Sequence, residues 1–204
     1  MKKVLLIGDS ISLYYAPFLS SYLDGVAELH TKEGRRQAFT DLDRPTGGNG
    51  GDSSMVLAYL QERDAADNLD VDLFVFNCGL HDIKRDFATG ICQVDSEAYR
   101  ENVENIVKLM KKRNIPTVFI TSTPVEDARH NAVERLGFKR FDADMEQYNR
   151  LALSVMENHQ IPVIDLGGFT AKLSGEIYID HVHFSEEVRK LHAAFIAGRL
   201  AEWL

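Results

Sequence analysis

At 204 residues the chain suits one well-filled domain, spanning 1–204, and is short for two. Its 45% hydrophobic and 26% charged residues are those of an ordinary globular protein and exclude disordered, collagen-like and coiled-coil classes. The 23 Lys and Arg against 31 Asp and Glu leave a formal net charge of −8, which argues against nucleic acid or an anionic membrane as partner, because both demand clustered positive charge.

The chain opens with Met1-Lys2-Lys3 and an apolar run, Val4 to Ile7, that stops at Gly8-Asp9. That run is too short for a signal-peptide core, and no later stretch reaches the roughly eighteen uninterrupted apolar residues of a membrane span. Cys78 and Cys92 are too few for a disulfide framework and are read as free thiols, so a cytoplasmic protein is expected. Lys3 to Ile7 reads as the first strand, followed by a helix with Ile11, Tyr15, Phe18, Leu19 and Tyr22 on one face. Val26 to His30 is a second strand. An irregular region, Thr31 to Asp52, then carries Gly47-Gly48-Asn49-Gly50-Gly51, and Gly51 opens a helical segment. Leu73 to Asn77 is the third strand. The helix after it places Tyr99, Val103, Ile106, Val107 and Met110 together, starts behind Asp95-Ser96, and ends in Lys111-Lys112-Arg113 ahead of Pro116. Thr117 to Thr121 is a fourth strand, Pro124 to Arg140 a second irregular region, and Phe141, Met145, Tyr148, Ala152 and Val155 mark a further helix. Val163 to Asp165 is the fifth strand, and a last helix follows Ser185 with Val188, Leu191 and Phe195 inward. Alternating strands and helices in so short a chain predict a three-layer α/β/α sandwich around a parallel sheet, with ligands bound beyond the carboxyl ends of its strands.

Residues just after those strand ends are therefore searched for chemistry. Gly8-Asp9-Ser10-Ile11-Ser12 puts a serine hydroxyl at the top of the sheet, although Asp9, Ser10 or Ser12 also suits an ordinary helix N-cap. Gly-x-Ser-x-Gly occurs nowhere, which argues against an ordinary α/β-hydrolase elbow. Asp180-His181-Val182-His183 offers a base and a carboxylate to orient it, the two groups a serine nucleophile needs. The same residues also resemble a fragment of a metal site, with no further ligand cluster in view. Gly51-Asp52-Ser53 and Gly79-Leu80-His81-Asp82 stand where backbone or side-chain N–H groups can serve an oxyanion. No phosphate loop or dinucleotide fingerprint accompanies the glycines.

Taken in order, these four segments resemble the blocks of the SGNH (GDSL-type) hydrolases over nearly the whole chain. The resemblance implies a flavodoxin-like, doubly wound parallel sheet of about five strands and a cofactor-independent serine esterase or acylhydrolase. It assigns Ser10 as nucleophile, His183 as base, Asp180 as its orienter, and the backbone N–H groups of Ser10 and Gly51 as oxyanion donors. In the third block His81 stands where the family has asparagine; its ring N–H donates as an amide does, and we read it as a working substitute, with Asp82 or a backbone carbonyl fixing its tautomer.

The expected partner is a small-molecule ester. Only Thr123 to Arg140 is long enough to cover the site, and its charges Glu126, Asp127, Arg129 and Glu134 suit a small acyl group on a polar carrier better than a long chain. Two rivals stay open: a non-catalytic small-ligand-binding protein on the same fold, and a metal-dependent hydrolase using Asp9 with the Asp180, His181 and His183 cluster. Trp203 and Leu204 either pack on their own helix or form a dimer contact.

Overall fold

A computed structural model describes residues 1–204. In chain order the elements are β1 (Lys2–Ile7), α1 (Ser10–Tyr22), β2 (Ala27–Thr31), α2 (Arg35–Ala38), α3 (Ser53–Ala65), β3 (Leu73–Phe76), β4 (Arg85–Asp86) and α4 (Ser96–Lys112). They continue with β5 (Thr117–Ile120), α5 (Asp127–Asn131), a 3-10 turn at Glu134–Leu136, β6 (Phe138–Lys139), α6 (Asp142–His159), β7 (Val163–Ile164), α7 (Leu166–Thr170) and α8 (Glu186–Leu200).

Short apolar runs become strands because both of their faces are covered. Leu73 to Phe76 and Thr117 to Ile120 are buried throughout, as parallel strands between two helical layers must be. The sheet is five-stranded and parallel in the order β2-β1-β3-β5-β7, in register through Val4 opposite Leu73, Phe74 opposite Thr117 and Phe119 opposite Val163. Helices α1, α7 and α8 pack together, and α3, α4 and α6 pack in a row. The fold is the expected α/β/α sandwich. Its strand order reverses between β1 and β3, and the carboxyl ends of those strands therefore bound a natural ligand crevice.

The element ends differ from the sequence reading by a residue or two. Asp95 caps α4, accepting from the N–H groups of Glu97 and Ala98, and the predicted inward residues of this helix are all buried. Helix α8 is turned differently: Leu191 is 46% exposed, and His192 faces inward with Val188, Ala193 and Ile196. The apolar pattern missed this because a neutral imidazole hydrogen-bonded to Thr170 Oγ1, at 2.9 Å, is as buriable as a leucine. In α1, Tyr22 likewise faces solvent. Neither α7 nor the antiparallel pair β4–β6 was expected; both are too short to carry a periodic signal. Trp203 and Leu204 pack on the chain's own core, and the Trp203 carbonyl accepts from Lys2 Nζ at 2.8 Å. No helix is long and apolar enough to cross a membrane.

Candidate active site

The chain leaves β1 through Gly8 and enters α1 with Asp9 as N-cap, whose Oδ1 accepts from the Ile11 N–H at 2.9 Å. Ser10 is thus the first helical residue; its N–H has no intrahelical acceptor and its hydroxyl stands at the sheet end. Pro17 lies inside α1 and has no N–H to offer Leu13 O four residues back, and Arg35 Nη1 donates to that carbonyl instead. Arg35 also lies over the Phe39 ring, and Phe39 meets Tyr14 edge-on. Tyr14 in turn meets the ring of His183 edge-on at 5.2 Å.

His183 arrives from the loop before α8. Asp180 Oδ1 accepts from the Val182 and His183 N–H groups at 2.9 and 2.7 Å, a turn that fixes the loop. Its Oδ2 lies 2.7 Å from His183 Nδ1, and His183 Nε2 lies 2.8 Å from Ser10 Oγ. Burial by itself pushes the Asp180 carboxyl up, but the hydrogen bonds from the His183 ring and the two backbone N–H groups together hold it well below the carboxylate range. An ionised carboxylate only accepts, so Nδ1 carries the ring proton, Nε2 is bare, and Ser10 O–H donates to it. Ser10 and His183 are 6% and 2% exposed, so the bond between them is shielded from water, while the Asp180 side chain is part-exposed.

The glycine-rich segment runs close beneath. Gly50 N–H donates to Gly8 O at 2.8 Å, and a Cβ on Gly50 would itself come within 2.8 Å of that oxygen. Gly51 sits at φ +74, where side chains are rarely accommodated, and its N–H donates to the buried Asn49 Oδ1 at 3.0 Å. To serve an oxyanion this amide must share or release Asn49. Asp52 then caps α3, accepting from the Met55 N–H.

His81 is 2% exposed beyond the end of β3. Burial foremost, then the charges of Lys84 and Arg140, hold its ring well below the usual histidine range, so it is neutral. Asp82 does not orient it: Asp82 Oδ1 accepts from the Ser53 N–H at 2.9 Å, and His81 Nδ1 is buried without a partner. A bare nitrogen tolerates this better than an orphaned N–H, which leaves Nε2 as the protonated, donating nitrogen.

Around this centre lies a layer that motif reading missed. Asp43 Oδ1 is 3.1 Å from His181 Nε2, and Lys84 Nζ donates to Asp43 O. Two cations lie over the Phe138 ring, Lys84 Nζ 4.8 Å and the Arg140 guanidinium 4.9 Å from its centroid. Arg140 Nε donates to Leu80 O, and the Asn131 side chain holds both the N–H and the carbonyl of Arg140. The segment Thr123 to Arg140 is therefore no free cover but is bolted to the third block. A cavity of ≈ 910 Å³ opens beside it, walled by Asp43, Lys84, Gln93, Arg135 and Phe138 among others; Ser10 is not in its wall. Asp43 and Arg140 carry no motif that announces them, since their partners lie far away in sequence.

The structure thus brings Ser10, Asp180 and His183 into hydrogen-bonded sequence, ties Gly50, beside Gly51, to Gly8 O just past β1, and places His81 beyond β3. Asp9, Asp180, His181 and His183 form no three-ligand group for a metal ion. Asp180 and His183 are bonded to each other, His181 Nε2 turns to Asp43, and Asp9 Oδ1 accepts from the Ile11 N–H. Ser53, which also follows Gly-Asp, is fully buried and accepts from Asn102 Nδ2 at 3.0 Å.

The buried imidazoles set an acid limit on stability. His81 is held well below its ordinary value as above. Burial foremost, with Arg140 and His181 adding, lowers His130 to about 3, and burial lowers His192 to about 4. Unfolded, each titrates near pH 6.5, so below that the unfolded chain binds more protons and stability falls with pH, by up to about 1.4 kcal/mol per unit for each ring. Asp82, pushed up to about 7 by burial, and Asp9, also raised by burial, act oppositely, since folding retains protons that the unfolded chain releases. Asp142 is raised by burial too but is only partly buried, so the three rings are expected to set the net sign. The melting temperature is expected to be lower at about pH 4.5 than at about pH 7; an unchanged or higher value would contradict neutral imidazoles in the fold.

Comparison with known proteins gives a consistent picture. The GDSL-like lipase/acylhydrolase family model matches residues 6–191. No curated protein matches the sequence. Among solved structures, a lipase/acylhydrolase from Enterococcus faecalis superposes with a TM-score of 0.73 at 18% identity, covering 100% of this chain and 97% of that one. The acetyl xylan esterase AlAXEase gives 0.70 at 17%, covering 97% and 99%, and Est24, a carbohydrate acetylesterase from Sinorhizobium meliloti, gives 0.70 at 14%, covering 100% of both. At these identities the superpositions show a shared fold.

Proposed function

Because the chain belongs to the GDSL-like lipase/acylhydrolase family, we propose that it is a serine-dependent carboxylic ester hydrolase that removes a short acyl group from a polar alcohol. One observation carries the reading: the unbroken hydrogen-bond chain from Asp180 through His183 to Ser10 Oγ. Ser10 Oγ attacks the ester carbonyl while His183 Nε2 takes its proton, and Asp180 stabilises the imidazolium that results. The tetrahedral oxyanion accepts from the Ser10 N–H, from Gly51 N–H as it lets go of Asn49, and from His81 Nε2–H. Collapse expels the alkoxide with the proton returned by His183. Water, deprotonated by the same ring, then hydrolyses the acyl-enzyme to carboxylic acid and free Ser10. The polar walls of the neighbouring cavity support a short acyl group on a polar carrier.

The deciding experiment is labelling with a fluorophosphonate followed by peptide mapping. Modification is expected at Ser10 and not at Ser53. A chain that stays unlabelled while binding small polar ligands is a binding protein instead.

His81 supplies a graded test. His81→Ala is expected to lower kcat by about 100-fold or more with little change in KM, because the bond forms chiefly in the transition state. His81→Asn should recover much of the loss. A rise in KM alone would mean that the ring binds substrate uniformly and that backbone amides make the oxyanion site without it.

A further inference from the structure

Lys84 and Arg140 are the buried cations of this chain, 7% and 2% exposed, and no carboxylate lies within 4.0 Å of either. This is unusual in a protein of net charge −8, where partners are plentiful. An uncompensated buried charge is strongly destabilising, so such a pair is kept where something else supplies the countercharge. The nearby carboxylates are otherwise engaged. Asp43 Oδ1 is held by His181, Asp52 by the Met55 N–H and the Gln93 amide, and Asp9 Oδ1 by the Ile11 N–H; the second Asp9 oxygen is buried without a partner, and burial pushes that carboxyl up toward its neutral form, which weakens it as a countercharge for Arg140. Asp41 and Asp86 lie at the exposed mouth of the cavity with Arg44 and Arg135, where charges of both signs are screened by water.

Both cations lie over the same ring, Phe138, and both adjoin the third block. Lys84 follows His81 by three residues, and Arg140 donates through Nε to Leu80 O, the residue before His81. Lys84 also lines the ≈ 910 Å³ cavity, whose Asp43 wall reaches His181, and the His181 ring lies 6.0 Å from that of His183. Lys84 Nζ makes one hydrogen bond, to Asp43 O, and Arg140 makes one through its side chain, so N–H groups on both cations remain uncommitted.

We infer that the substrate is an anionic ester, carrying a carboxylate or phosphate that binds to Lys84 and Arg140 while its ester carbonyl lies at Ser10. The inference rests on the hydrolase reading and narrows it to a substrate class. Burial foremost, then the charge of Arg140, lowers Lys84 to about 8, so at neutral pH it is still chiefly an ammonium and a bound anion would make it more so.

The test compares kcat/KM at about pH 7 for meta-acetoxybenzoate, meta-acetoxyphenyl phosphate and the uncharged methyl meta-acetoxybenzoate. An anionic ester is expected to exceed the methyl ester by about tenfold or more, and the larger of the two anionic ratios identifies carboxylate or phosphate as the recognised group. In Lys84→Gln that ratio should collapse toward one. Arg140→Gln should do the same where it folds; since Arg140 also holds Leu80 O, Lys84→Gln carries the test by itself. Equal kcat/KM for anionic and methyl esters in the wild type overturns the anion site and leaves the hydrolase standing. If no ester is cleaved and Ser10 is not labelled, the hydrolase reading is what fails. Inorganic phosphate titrated calorimetrically into Ser10→Ala then decides the site: binding that Lys84→Gln removes sustains it, and no binding overturns it.

Discussion

Ser10→Ala is expected to lower kcat for a short acyl ester by about a millionfold, with the melting temperature moving by no more than about 2 °C. The first effect follows from the chemistry. Without Oγ no acyl-enzyme forms, and the residual rate comes from whatever binding and oxyanion contacts do for direct attack by water. The second follows from position: Ser10 is the first residue of α1, Asp9 rather than Ser10 caps that helix, and the Ser10 hydroxyl is bonded to His183 alone. Alanine suits a helix start and leaves no backbone group unpaired. Steady-state kinetics with para-nitrophenyl acetate and a thermal melt measure both quantities, and a variant keeping a tenth of wild-type turnover would remove Ser10 from the mechanism.

His183→Ala should be of similar severity, about a millionfold in kcat, because no other ring nitrogen lies at the serine hydroxyl. His181→Ala is the informative contrast. Its ring is just as hidden, 7% exposed against 2%, yet its Nε2 is turned to Asp43 and its Nδ1 lies 3.8 Å from Asp180 Oδ1. Removing it should cost at most about tenfold in kcat while lowering the melting temperature by several degrees through the cavity left behind. The opposite ranking of the two variants would transfer the base to His181.

The strands were legible because a parallel sheet buries both faces, so Leu73 to Phe76 and Thr117 to Ile120 stand out as unbroken apolar runs. Helix α4 was legible for the complementary reason: one apolar face, an aspartate cap and a basic end. The block order put Ser10, Gly51, His81, Asp180 and His183 in view at once. What the blocks do not carry is the second layer. Asp43 meets His181 across 138 residues, and Arg140 meets Leu80 across 60; neither separation has a periodicity that a one-dimensional reading can detect. The tautomer of His81 was equally hidden. It depends on Asp82 turning to Ser53, a choice made by the packing of α3 and not by adjacency in the chain.

The hydrogen bond between Ser10 and His183 joins residues 173 apart, and the loop bearing His183 leads directly into α8, which packs on α1. Docking that helix and completing the proton relay are therefore one event. On the ribosome Ser10 is synthesised 173 residues ahead of His183, and its hydroxyl has no base until that stretch has emerged. A nascent or C-terminally truncated chain is chemically silent toward esters whatever the state of its nucleophile. In the folded protein, transient detachment of α8 would disarm the serine before the rest of the sheet is disturbed, so activity should report local opening of this helical layer at temperatures or denaturant concentrations below the global transition.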